Sequence, residues 1–196
     1  MERVKIKTMR ESFEENYQAV SVPAKNKRGF KIKYVYTGQW MVCREDQAYA
    51  RKIKNYVLSA AIISIILYIA ASVQNSPVNY ARGVSMFGLL ALAPYVFLII
   101  GAVQFALSKE KMTVSLYADI TVRLQASAVI YAALLAVCGV LAVREVFVNG
   151  YELSDCFIGI CFLLSAAEAA SIVWAYRRLH YVKKENNDCF TDSEAR

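Results

Sequence analysis

The chain has 196 residues, of which 57% are hydrophobic, with a mean hydropathy of +0.33 and a formal net charge of +7. A soluble domain is about 45–50% apolar, so the composition points away from water and toward a bilayer as solvent. The five cysteines (Cys43, Cys138, Cys156, Cys161 and Cys189) show no CxxC pair and no metal-ligand spacing, so no metal is expected.

In chain order, residues 1–52 read as a charged N-terminal region. It is far longer than the charged start of a cleaved signal peptide, so the first apolar span is expected to act as an uncleaved signal-anchor. Residues 1–22 have mixed charge and weak periodicity, and "PAKNKRG" (23–29) reads as a basic linker bounded by Pro and Gly. In "FKIKYVYTGQWMVCRED" the β-branched and aromatic residues on both sides of Thr37-Gly38 predict a β-hairpin over 30–44. A lone hairpin is marginal in water. Trp40 and the nearby tyrosines are therefore expected to lean on lipid headgroups, helix ends or a partner protein. Residues 46–56 can continue helically into the first span, with Arg51, Lys52 and Lys54 at the headgroups.

Residues 53–182 form the expected transmembrane domain, with spans at about 56–73, 84–107, 126–143 and 157–176. None contains Lys, Arg or Asp, and only the fourth contains Glu. Hydrocarbon offers no partner to a free backbone group, so the spans must be helices. Pro94 removes one helical hydrogen bond from the second span and predicts a kink. Between the second and third spans, Leu116, Ile120 and Leu124 recur at helical spacing, with Asp119 and Arg123 as an i,i+4 pair. This predicts that the third helix extends several turns beyond the membrane. Residues 183–196 read as a polar, disordered cytoplasmic tail.

Charge sets the expected orientation. Of the 23 Lys and Arg, 21 fall in the N-terminal region, the middle loop or the tail, leaving Arg82 and Arg144 in the two other loops. The positive-inside rule then places both termini in the cytoplasm of a cell-membrane protein. Basic residues beside the spans, including Arg177 and Arg178, point to anionic inner-leaflet lipid and not to nucleic acid.

The candidate site is Glu168, within "SAAEAAS". A carboxyl at mid-span costs at least a few kcal/mol and should face the bundle interior. Depth matching places Ser64, Gly101, Tyr131 and Glu168 in one layer, where the Ser64 and Tyr131 hydroxyls can bond the carboxyl. Ser165 lies on the same helical stripe, and Gln104 and Ser127 extend a polar path toward the cytoplasm. Glu168 would then be either a proton- or cation-binding group or a protonated acid that fixes helix register.

No HExxH, G-x-S-x-G, Walker or glycine-rich phosphate motif occurs, and the single histidine, His180, is expected at the membrane surface. Neither catalysis nor a cofactor is therefore expected. The predicted fold is an all-α, four-transmembrane-helix bundle, N-in and C-in, with a small cytoplasmic segment holding the hairpin. The favoured role is a non-enzymatic accessory or regulatory subunit that binds lipid, a membrane or cytoplasmic protein partner, or a second copy of itself. The alternative is a small oligomeric proton-coupled transporter or channel-like protein using Glu168.

Overall fold

The computed structural model describes residues 16–23, 30–150, 152 and 155–184. Four helices are long and apolar enough to cross a membrane: α1 (Gln47–Ser72), α3 (Arg82–Leu107), α4 (Val114–Asn149) and α5 (Cys156–Arg177). A one-turn helix, α2 (Pro77–Tyr80), joins α1 to α3. α4 begins at Val114, so the predicted extension of the third span is present; a π-helical turn, Val122–Ala126, interrupts it. α3 runs through Pro94 without a break.

α1 packs on α3 and α5, and α4 packs on α3 and α5, so the helices form a ring in chain order. Val57, Leu98, Leu124, Leu135 and Ile172 are fully enclosed inside it. Ile66, Leu89, Val140 and Leu164 are at least half exposed on the outside. Helices apolar on every side suit a lipid surround. α4 and α5 approach most tightly through small residues. A Cβ on Gly159 would lie 2.5 Å from Val143 Cγ2 and 3.1 Å from the Gly139 carbonyl oxygen.

Strand β1 (Tyr17–Pro23) pairs antiparallel with β2 (Phe30–Tyr36), Tyr17 opposite Tyr36 and Pro23 opposite Phe30. β3 (Trp40–Cys43) is the middle of a separate three-stranded sheet, between β4 (Lys111–Thr113) and β5 (Tyr181–Lys184). The predicted hairpin across Thr37-Gly38 is therefore not formed. Two-residue hairpin turns need a positive φ, and among the described residues only Gly150 has one. The segment instead connects the two sheets. Thr37 N–H donates to the Asn16 carbonyl at 2.8 Å, and the Tyr36 hydroxyl donates to the Gln39 carbonyl at 2.7 Å. A side chain at position 38 would press on the side-chain ends of Asn16 and Tyr36, which would have to move aside.

The three-stranded sheet gathers the N-terminal segment, the α3–α4 connection and the chain after α5 at one end of the bundle. Lys183 and Lys184, placed in the tail by the sequence, belong to β5. The rest of the predicted tail, the 23–29 linker apart from Pro23, which ends β1, and most of 1–22 lie outside the described residues.

Candidate functional site

α1 and α5 run antiparallel, and their central contact is between two serines. Ser64 Oγ donates to the Ser165 carbonyl at 3.0 Å, Ser165 Oγ donates to the Ser64 carbonyl at 2.8 Å, and the hydroxyls lie 2.8 Å apart. The Tyr131 hydroxyl reaches Ser165 Oγ at 3.4 Å from α4. The Tyr131 ring packs on Tyr95, centroids 5.3 Å apart, and the Tyr95 hydroxyl donates to the Ala61 carbonyl. Ser64, Ser165 and Tyr131 are fully enclosed. Buried hydroxyls need partners, and these provide for each other.

Glu168 is not a member of this group. It is half-buried, and among the described residues its carboxyl takes part in no hydrogen bond or ion pair. The expected bonds to Ser64 and Tyr131 are made by Ser165 instead. The reason is angular: the three residues from Ser165 to Glu168 turn the helix by about 300°, leaving Glu168 some 60° off the inward direction. The same three residues are about 4.5 Å of rise, so Ser64 and Tyr131 stand level with Ser165 and not with Glu168. Only the backbone of Glu168 is engaged, its carbonyl accepting from Ser171 Oγ at 2.7 Å. The Tyr56 hydroxyl in turn donates to Ser171 Oγ at 2.9 Å from α1.

Gly101, Gln104 and Ser127 gather at the π turn, not beside Glu168. A Cβ on Gly101 would stand 3.1 Å from Leu124 N, so the glycine admits the widened backbone. Arg123 Nη1 donates to Gln104 Oε1 at 3.3 Å, and Ser127 Oγ bonds the Arg123 carbonyl. Arg123 thus reaches across to α3, and the expected Asp119–Arg123 pair is absent.

Of the expected headgroup residues, Arg51, Lys52, Arg177 and Arg178 are exposed, and Arg178 lies over the Trp174 ring at 3.6 Å. Lys54 is different: it is 9% exposed, and its Nζ donates to the Ser108 carbonyl at 2.6 Å. It therefore caps the C-terminal end of α3, where unpaired carbonyls and the helix dipole favour a cation. The signal was readable. Ala50, Lys54, Val57, Ala61, Ser64, Tyr68 and Ala71 recur at three and four residues, and all are buried.

A second tie at the sheet end had no precedent in the sequence reading. The Glu45 carboxylate accepts from the His180 backbone N–H at 3.0 and 3.2 Å and meets its Nδ1 at 2.8 Å. Arg44 N–H donates to the His180 carbonyl at 3.0 Å. Burial alone would raise the Glu45 pKa, but these bonds outweigh it and hold the carboxyl below its usual value. Burial pushes the Cys43 thiol and the Tyr181 phenol up, so both stay neutral. Among the described residues no group of His, Cys, Asp and Glu could hold a metal ion.

No protein-family model, curated protein or solved structure matches this chain.

Proposed function

We propose that the chain is a non-enzymatic subunit of a membrane complex, with the sheet end and both termini in the cytoplasm, acting by binding a partner protein. The observation that carries this reading is the self-sufficiency of the interior. The polar atoms at the bundle centre bond one another, and Leu98, Leu135, Cys138 and Ile172 are buried in the same apolar core. A proton-coupled carrier needs a titrating group on an interior path, and the one intramembrane acid stands outside the central cluster. The orientation rests on the 21 basic residues that fall along the sequence in the N-terminal region, the middle loop and the tail, against two in the other loops.

The test is reconstitution of the purified chain into vesicles under an imposed proton gradient, together with native-gel sizing of the protein from its own membrane. We expect flux equal to that of empty vesicles and a native assembly larger than the chain alone. Flux above background that disappears in Glu168→Gln would establish the carrier instead. For orientation, a terminal tag should react with an impermeant reagent only after the cells are opened.

A further inference from the structure

The outer seam between α1 and α5 carries a line of polar groups that ends at the Glu168 carboxyl. Tyr56 is 42% exposed, Ser59 is exposed, Ser171 and Glu168 are half-buried, and apolar Leu164 and small Ala167 flank them on the outside. Tyr56, Ser59 and Ser171 are satisfied within the chain: Ser59 Oγ donates to the Tyr56 carbonyl, and the Tyr56 hydroxyl to Ser171. The Glu168 carboxyl alone has no partner among the described residues.

Glu168 lies nine residues before Arg177, about 13 Å along the helix. Its side chain is too short to reach the headgroups from there, as a Lys or Arg could. A carboxylate in hydrocarbon needs a cation or a donor. The four spans of this chain contain no Lys or Arg, so a second copy has no cation to offer at that depth. Ala167 leaves the α5 backbone open to close helix approach.

We propose that this seam docks one transmembrane helix of a partner protein, and that the docked helix presents a Lys or Arg to the Glu168 carboxylate. The proposal rests on the subunit reading above and specifies where the partner binds. The ion pair sets which helix is accepted, because a neutral helix leaves the acid unmatched.

The test uses the full-length chain in vesicles with two synthetic probes, a polyleucine helix carrying one central Lys and the same helix with Leu there. Association is read by energy transfer. The Lys helix should bind about tenfold more tightly than the Leu helix. Glu168→Gln should abolish that preference, and Glu168→Lys should transfer it to a probe carrying a central Glu. Circular dichroism and native Trp emission should stay unchanged in both variants, separating docking from folding. Equal binding of the two probes would overturn the proposal. So would self-association of the chain that is lost in Glu168→Gln, because the seam would then pair two copies. Either result leaves the native assembly size untouched, so the docking site can fail while the subunit reading stands.

Discussion

At the end of the bundle away from the sheet, the α1–α3 connection is closed by residues at most eight positions apart. Asn79 Nδ2 donates to the Ala71 and Gln74 carbonyls at 2.9 and 2.8 Å, and Ser76 Oγ accepts from Val78 N–H at 3.2 Å. Gly150, with φ of 67°, ends α4 in the left-handed cap that glycine favours. At the sheet end the ties are long. Lys54 and Ser108 are 54 positions apart, and Glu45 and His180 are 135 apart. A local cap forms with its own helix, whereas a long tie requires the bundle to bring its partners together first. The sheet end should therefore report on assembly of the whole bundle, and the side-chain hydrogen bonds of the α1–α3 connection mainly on that connection, although its Val78 is buried in the core.

The most severe test of that contrast is Met41→Asp. Met41 faces Met112 across β3 and β4, and both are buried. An unpaired carboxylate there should cost about 3 kcal/mol or more. Hydrogen exchange should quicken at 111–113 and 181–184 and stay unchanged at 71–80. Loss of protection at both ends would mean that they are not separable.

Next in size is Lys54→Met, which keeps the apolar stem and removes the cation from the α3 terminus. The loss should be about 1–2 kcal/mol, read as a lower unfolding midpoint in detergent. Lys54→Arg should recover part of it. No change in either variant would make the cap at Ser108 incidental.

This contrast also explains what could be read from the sequence. The four helices, the extension of α4 and the concentration of basic residues at one end follow from runs and spacings along the chain. Lys54 could have been placed inside by its position on the buried stripe of α1, but its charge argued for lipid headgroups. The three-stranded sheet could not be read, because β4 has three residues and β5 four, and neither has an alternating pattern long enough to notice. Their pairing depends on where the helices set them down. Glu168 was expected level with Ser64 and Tyr131, but those residues meet Ser165, three positions earlier on the helix, since the partner of Ser64 is decided by how α1 and α5 slide and rotate against each other. Ser165, one of several small residues on that stripe, has no local feature that marks it as the chosen one.

A smaller effect should come from pH at the Glu45–His180 tie. The folded-state pKa of Glu45 is lowered, so its contribution is complete above the unfolded glutamate value of about 4.3 and is lost as pH falls through the lower folded value. The difference in unfolding midpoint between the wild type and Glu45→Gln should shrink toward zero as pH falls through the folded-state value. A difference that grew in acid would mean that the carboxylate opposes the tie.

The smallest effect belongs to Asn79→Ala. The residue satisfies one carbonyl in the last turn of α1 and one just past it, but it does so at the bundle's edge, where water can replace an amide donor. The loss should be about 0.5–1 kcal/mol, with faster exchange confined to 72–80 and no change at β3, β4 or β5. The same substitution is the most sensitive check on the contrast between the ends, because its effect is too small to unfold the bundle. If it loosened the distant sheet, the α1–α3 connection would be coupled through the whole length of the helices. The local closure would then set how α1 and α3 pack, and the long ties at Lys54 and Glu45 would depend on it.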